Sequence, residues 1–515
     1  ECPYDQGGYF IIEGQEKVIV SHERKAENKL YIVKSSEGIY SLSAQIKSIP
    51  SNTFKYARTT VVNLQKNSVL KDLVKDDIDD KNKGLSSNYI RQNKSDIGEI
   101  TVRLPSIPKP IPLFILFRVL GIESDKEILK FILYNLDDDK SQLFYKDLIP
   151  SIENASPIYT QHLAIKYLAN LTVGNTTSHL MDIINTDVFP HMGENNIEKA
   201  YYLGYVVNKL LNVHHKIEQE TDRDSFVFKR VDLSGFLLAN LFRESFKQFQ
   251  RDSKIAIDTE YRFNSGQYQD SNYSNIISND NIRKIFNYNT IQNMVMKSFK
   301  IGTILNKKGL IQSLNRLSMV GAISHLRRIN TLGDMIMIGQ RKLHPTQYGI
   351  ICPVETPDGG NIGIKKHLTV MGHITFGCDP QPIIKLLGEL GVKKLEDMSP
   401  SFIYKKTKIF VNGKWIGIHE DPVSLTRILR LFRRNALINI FTSISWNITQ
   451  MEISILTDGG RCCRPLYILD DNKLTINKQH ITDLKEDKLN WFNLVGGFMG
   501  KKKIDYYDCE YDCLE

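Results

Sequence analysis

The chain has 515 residues, 41% of them hydrophobic and 24% charged, which predicts several domains of ordinary globular composition. Lysine and arginine outnumber the acids 67 to 58, for a net charge of +9, which points toward polyanionic partners. A membrane span is excluded, because the best apolar run, residues 111–117 (IPLFILF), is too short and ends against Arg118.

In chain order, residues 9–12 and 17–20 read as two short strands joined by a turn at Gly14. Residues 38–47 read as a strand, with Tyr40, Leu42, Ala44 and Ile46 alternating with polar residues. Residues 75–93 are polar and mixed in charge, and read as a surface insertion. Apolar residues recur at helical spacing over 113–136, 199–213 and 235–250. Residues 408–418 place Asn412-Gly413 between two apolar runs, which predicts a two-residue hairpin. Residues 423–434 return to helix, with Leu425, Ile428 and Leu431 on one side and arginines on the other. Strands and helices come in blocks, so the fold class is α+β, multidomain and built of irregular mixed modules. The seven cysteines are scattered and read as reduced thiols; Cys509 and Cys513 lack the second ligand pair a structural zinc needs. No segment reads as a signal peptide.

Two segments carry the chemistry. Residues 301–350 hold Lys307, Lys308, Arg316, Arg327, Arg328, Arg341 and Lys342 against Asp334 alone, a concentrated positive patch suited to nucleic acid. Leu314, Leu317, Val320 and Ile323 follow a helical repeat there; one helix over 313–328 would put Gln312, Arg316 and Arg327 on a common stripe, unless Gly321 breaks it. Arginine forks and a glutamine amide can hold phosphate or sugar without reading a base. Of Arg327 and Arg328, one is expected on phosphate and one in the scaffold. Next, residues 342–368 read KLHPTQYGIICPVETPDGGNIGIKKHL, with three prolines and four glycines around Glu355 and Asp358. Such a string predicts a rigid irregular loop rather than helix or strand. His344 reads as a satisfied structural histidine.

That string resembles HPTxYGxxCPxETPxGxNIGL, a signature of the second-largest, β-like subunit of multisubunit DNA-directed RNA polymerases. Four further blocks resemble the eukaryotic and archaeal members in the same order: ECPYDQGGYFIIEGQEKVIVSHER at 1–24, TDRDSFVFKRVDLSG at 221–235, SLNRLSMVGAISHLRRINTLG at 313–333 and LTDGGRCCRPLYIL at 456–469. The chain opens inside the first block and is expected to be a fragment.

The resemblance implies a layout. Residues 1–27 would end the first half of the protrusion and 28–220 would be the lobe. Residues 221–280 would complete the protrusion, 281–369 would be the fork, 370–470 external domain 1, and 471–515 the start of external domain 2. It also implies that Gln312, His325, Arg327, Arg328 and Arg341 lie near RNA or brace the loops that do. With Arg316 from the charge patch, and Glu355, Pro357, Asp358 and Asn361 from a loop that approaches the active centre, these form the expected nucleic-acid-binding or active-centre-supporting set. Asp358 stands where the family usually has Glu. No catalytic residue is expected here: Mg²⁺ would be held mainly by the largest subunit, none by this fragment, and the fragment alone would be inactive. Expected partners are the largest and smaller polymerase subunits, template DNA, nascent RNA and nucleoside triphosphates, with no membrane. The setting would be intracellular, with nucleus, viral factory and virion left open. The alternative is a non-catalytic nucleic-acid-binding or assembly module from a split or decayed gene.

Overall fold

A computed structural model gives the fold for residues 3–35, 37–50, 57–66, 97–263, 276–304, 307–331, 338–466, 469–470, 473–474, 477–490 and 510–513. The insertion expected at 75–93 lies outside the described residues, as do Cys2 and Cys509. The fold is α+β in several modules, as the blocks of strands and helices predict.

Strands Phe10–Ile12 and Gln15–Ile19 form the first hairpin, with Phe10 opposite Lys17. Its two turn residues, Glu13 and Gly14, both have positive φ (50° and 76°), the backbone of a twisted two-residue hairpin. Ile311–Ser313 adds as a third strand, antiparallel to Gln15–Ile19, so the start of the chain is stitched to the segment some 300 residues on.

A five-stranded antiparallel sheet follows, in the order Leu30–Lys34, Tyr40–Ser48, Arg58–Lys66, Ile97–Leu104 and Ile107–Pro112. Tyr40, Leu42, Ala44 and Ile46 are buried, as their alternation predicts. Six helices follow and share one core with this sheet. The apolar run over 113–136 is two of them, Leu113–Val119 and Asp125–Leu133, rather than one. Gly121, at φ 103°, turns the chain between them, and the Ile122 N–H closes on Phe117 O at 3.1 Å. Arg118 is fully buried here, its guanidinium donating to Ala155 O at 2.6 Å and to Asp125 Oδ1 at 2.5 Å.

Helix Asn196–His214 crosses Asp125–Leu133 closely at Gly204. A Cβ on Gly204 would stand 2.3 Å from Phe131 O, a backbone atom. Gly204→Ala is therefore expected to destabilise by about 1–3 kcal/mol through overpacking, despite alanine's better helix propensity. Urea unfolding of the chain checks this; a stabilised variant would show that the helices separate freely.

A second five-stranded sheet runs Lys393–Lys394, Lys414–His419, Thr407–Val411, Glu452–Leu456, Ser443–Asn447. Asn412 and Gly413 have positive φ, as the hairpin predicts. Its two faces differ. Phe410, Trp415 and Ile418 join the core of the first sheet and its helices. Ile409, Val411, Ile453 and Ile455 pack instead on Gln381–Glu389 and Pro422–Arg434. The sheet is thus the middle of three layers. In Pro422–Arg434 the buried stripe is Leu425, Thr426, Leu429 and Arg433, so one arginine faces inward: Arg433 Nη1 donates to Thr442 O at 3.0 Å. Ile428 and Leu431 are half-buried.

Helix Ser234–Phe263 runs well past the expected 235–250. The single fork helix over 313–328 does not form. Ile311–Ser313 is strand, and the helix is only Met319–Leu326, started by Ser318 Oγ accepting the Gly321 N–H at 2.9 Å. Gly321 lies in the first turn and does not break it. Arg328–Thr331 is strand again, so Gln312, Arg316 and Arg327 share no stripe.

Candidate nucleic-acid interface

A four-stranded sheet organises this region, in the order Lys365–His367, Arg328–Thr331, Ser21–Lys25, Lys229–Asp232. It joins four sequence blocks separated by up to hundreds of residues. Lys365–His367 is a short strand inside the segment expected to hold none, and Pro345–Gln347 and Gly359–Asn361 are single 3-10 turns; the rest of 342–364 is turns and irregular chain apart from an isolated bridge from Ile351 to Leu368. Alternation along these short strands points one set of side chains inward. There Glu23, only 5% exposed, pairs with Lys229 Nζ at 2.6 Å and Lys366 Nζ at 2.9 Å and accepts from Thr331 Oγ1 at 3.1 Å. Burial alone would push its carboxyl up; Lys366 and Lys229 overcome that and hold it below the usual range. Both ammoniums also lie 5.1 Å from the centre of the Phe226 ring.

On the opposite register, Arg328 stands across from His367. Arg328 Nε donates to His367 Nε2 at 3.1 Å, and His367 Nδ1 donates to Glu355 O at 2.9 Å. These bonds suit the imidazole tautomer with its proton on Nδ1. Ser324 Oγ donates to Glu355 Oε1, tying the fork helix to the loop. Arg327 donates to Thr369 O. His325 is buried, and its Nδ1 accepts the Asn315 N–H at 3.2 Å. Its Nε2–H therefore donates to Gln312 Oε1 at 3.0 Å, and Gln312 Nε2 donates to Gly309 O at 2.8 Å. Burial, with Arg328 and Lys365 beside it, pushes His325 down to about 4.

The loop 355–363 is held from within and below. Thr356 Oγ1 accepts the Gly363 N–H at 2.9 Å and donates to Lys365 O at 3.1 Å. Arg341 Nη1 donates to Gly360 O and Ile362 O at 2.8 and 3.0 Å. Asp358 is exposed at the tip, with Pro357 and Asn361 half-buried beside it. Asp358 makes no side-chain hydrogen bond or ion pair among the described residues.

Gln312, His325, Arg327, Arg328 and Glu355 are thus brought into one region, and Arg341 braces the loop carrying Pro357, Asp358 and Asn361. Arg316 stands apart on the first hairpin. It grips Glu16 with two bonds of 2.8 and 2.9 Å and lies 4.9 Å from the Tyr9 ring centre. His344 is satisfied between Asp222 Oδ2 at 2.6 Å and Thr346, as read from the sequence. Lys308 and Lys342 are exposed and without an acidic partner among the described residues, so they are the open charges of the basic patch. Sequence reasoning counted them but did not place them in the site. It missed Glu23, Lys229 and Lys366 altogether; the available signal was a charged residue inside each of three short β-like blocks.

The last ordered block closes on the same sheet. Arg230 Nε donates to Asp458 Oδ2 at 2.7 Å, and the Val231 N–H to Gly460 O at 2.7 Å. The blocks at 1–24, 221–235, 313–333, 342–368 and 456–469 therefore meet in space. Residues 81–232 match the family RNA polymerase Rpb2, domain 2; 312–374 match domain 3 and 409–470 match domain 4. The chain belongs to the RNA polymerase Rpb2 family. It is 36% identical over 525 residues to the DNA-directed RNA polymerase II subunit RPB2 of Encephalitozoon cuniculi, covering 99% of this chain and 42% of that protein. Against subunit 2 of RNA polymerase II from Arabidopsis thaliana it is 35% identical, covering 99% and 41%. The RNA polymerase III subunit RPC2 of Saccharomyces cerevisiae is 29% identical, with the same coverage of 99% and 41%. This Rpb2-family chain spans about two fifths of the length of these relatives.

The described residues do not fit a resident metal. No cluster of three or more His, Cys, Asp or Glu among them could hold one, and Glu23 is already neutralised by two ammoniums. No helix among the described residues is long and apolar enough to cross a membrane.

Proposed function

We propose that this chain is part of the second-largest subunit of a DNA-directed RNA polymerase. In that reading residues 1–27 and 221–280 belong to the protrusion, 28–220 are the lobe, 281–369 the fork, 370–470 external domain 1 and 471–515 the start of external domain 2. Its role is to hold the DNA strands and the RNA–DNA hybrid beside an active centre, with the largest and smaller subunits, nascent RNA and nucleoside triphosphates as partners. Metal-assisted nucleotidyl transfer, with Mg²⁺ held mainly by the largest subunit, completes the reading. The observation that carries it is the ordered family likeness over 99% of the chain.

The fork geometry divides the labour within that role. Arg327, Arg328, Arg341 and Gln312 donate to protein acceptors, so their first task is to stiffen the helix, the strand and the loop they join. Asp358, Asn361, Pro357 and Glu355 sit on the loop so stiffened, and Lys308 and Lys342 supply open positive charge. Charge at such positions holds a phosphate backbone without regard to sequence, as a general transcribing enzyme requires.

The test is template-directed extension of RNA from a preformed RNA–DNA hybrid, using the complete subunit assembled with its partners. Lys308→Ala/Lys342→Ala is expected to weaken hybrid binding and to make its dependence on salt shallower, because fewer phosphate contacts remain. Gln312→Ala/Arg327→Ala is expected to lower extension at every salt concentration, because the scaffold loosens. An assembled wild-type complex that extends no RNA would overturn the reading.

A further inference from the structure

Helix Pro422–Arg434 lies on the outer face of the second five-stranded sheet, the face turned away from the lobe helices. Its inward stripe is Leu425, Thr426, Leu429 and Arg433. At 100° per residue Val423, Arg427, Arg430 and Arg434 fall in one row along the outer side, about 16 Å long. Arg427 and Arg430 are exposed, and neither has an acidic partner among the described residues. The helix contains no acid of its own, and Asp421 is committed to capping its start, accepting the Ser424 N–H at 3.1 Å. At the far end Ala436 takes a positive φ and the Leu437 N–H closes on Phe432 O at 2.9 Å. Leu437 is thereby held against the helix end at 69% exposure, matching Val423 at 60% at the other end.

The outer side therefore runs from apolar Val423 through exposed Arg427 and Arg430 and half-buried Arg434 to apolar Leu437. The surroundings sharpen this, since residues 435–451 contain no charged side chain and Ile440 is exposed among them. Arginines set in an uncharged, partly apolar surface have the composition of a protein interface, where Arg is enriched and Lys depleted. A nucleic-acid track would instead spread cations along a groove and offer no complement to Val423 and Leu437. We propose that this outer face docks an acidic amphipathic segment of a partner protein, its carboxylates on Arg427 and Arg430 and its apolar side chains on Val423 and Leu437. The proposal stands apart from the fork and does not depend on its role.

The test uses the assembled complex and a fluorescein-labelled peptide of about 16 residues, long enough to lie along the row. The peptide carries a face of glutamates flanked by leucines, and a second copy has glutamine at every glutamate. Fluorescence anisotropy is expected to show binding of the glutamate peptide only. Arg427→Glu/Arg430→Glu should weaken that binding about tenfold or more, since two attractions become repulsions. Lys385→Glu, an exposed charge reversal on the neighbouring helix Gln381–Glu389, should leave it unchanged. A labelled oligothymidylate should bind the arginine variant as it binds the wild type. The proposal is overturned if the glutamate peptide does not bind, if Lys385→Glu costs as much as the arginine pair, or if the oligonucleotide loses affinity in parallel. All substituted side chains are exposed, and an unchanged thermal transition confirms that the fold is kept.

Discussion

Replacing Glu23 with alanine is expected to destabilise the four-stranded sheet by about 3–5 kcal/mol, one of the largest single effects in the chain. The reason is the pair of lysines left behind. Lys229 and Lys366 reach Glu23 from strands on different sides and are themselves buried, at 6% and 5% exposure. Without the carboxylate, two buried ammoniums face each other unpaired. The Phe226 ring, 5.1 Å from both, can offset only a small part of that cost. The triple change Glu23→Met/Lys229→Met/Lys366→Met is expected to be close to neutral, because it removes the charges together. Urea unfolding of the three proteins separates the cases: a single-variant loss below about 1 kcal/mol would place the buried pair in contact with solvent.

The same cluster sets an acid limit. Glu23 is held below its usual value in the folded chain, so its contribution is present above the unfolded value near 4.5 and is lost as pH falls through the folded one. His325 acts earlier and in the same direction. It is neutral in the fold down to about 4, while the unfolded chain takes up its proton near 6.5. Stability should therefore fall between pH about 6.5 and about 4 through His325, and further below that through Glu23. In Glu23→Gln the lower limb should vanish while the upper one persists. Both limbs surviving in that variant would assign the acid sensitivity to other carboxylates.

Local structure was legible wherever one face of an element decides its state. The Glu13-Gly14 and Asn412-Gly413 turns, the strand Tyr40–Ser48 and the helix Asn196–His214 follow from turn chemistry and periodicity alone. The failures have physical causes. Leu113–Val119 is nearly all apolar and Asp125–Leu133 is amphipathic, so the apolar spacing runs on through Gly121, whose turn joins them. Around the fork helix, Leu314 and Leu317 continue the apolar spacing but belong to the chain entering it; Leu317 is 94% exposed. Ser318, capping the Gly321 N–H, was the better signal. The site residues were legible as motifs but their tasks were not. Whether an arginine meets a phosphate or a carbonyl depends on neighbours such as Glu16, hundreds of residues away in sequence from Arg316. The buried ion triad left only a weak local trace, a charged residue inside each of three short β-like blocks, because the pairing itself joins blocks far apart in sequence.

Gly363→Ala is expected to lower RNA extension about tenfold or more, with a smaller loss of chain stability of about 1–2 kcal/mol. Gly363 has φ 71°, and a Cβ there would stand 2.4 Å from Arg341 O and 2.7 Å from Arg341 Cα. Those are backbone atoms, so no rotamer change relieves the contact. The left-handed backbone adds about 1–2 kcal/mol of strain for a residue with a Cβ. Arg341 also holds the other side of the loop through Gly360 O and Ile362 O, so the loop cannot move off without breaking those bonds. The tip carrying Asp358 and Asn361 would shift, but little buried apolar surface would be lost, which is why function should suffer more than stability. Two neighbouring glycines grade the cause. A Cβ on Gly359 meets nothing within 4 Å but requires φ 76°, so alanine there brings strain without a clash. Gly360 has open space and no such φ, so its alanine variant should extend RNA normally. Extension rates in the order Gly360→Ala, Gly359→Ala, Gly363→Ala, from highest to lowest, would tie the loop's path to the reaction. Equal rates in all three would show that transcription tolerates displacement of this loop and would remove it from the interface.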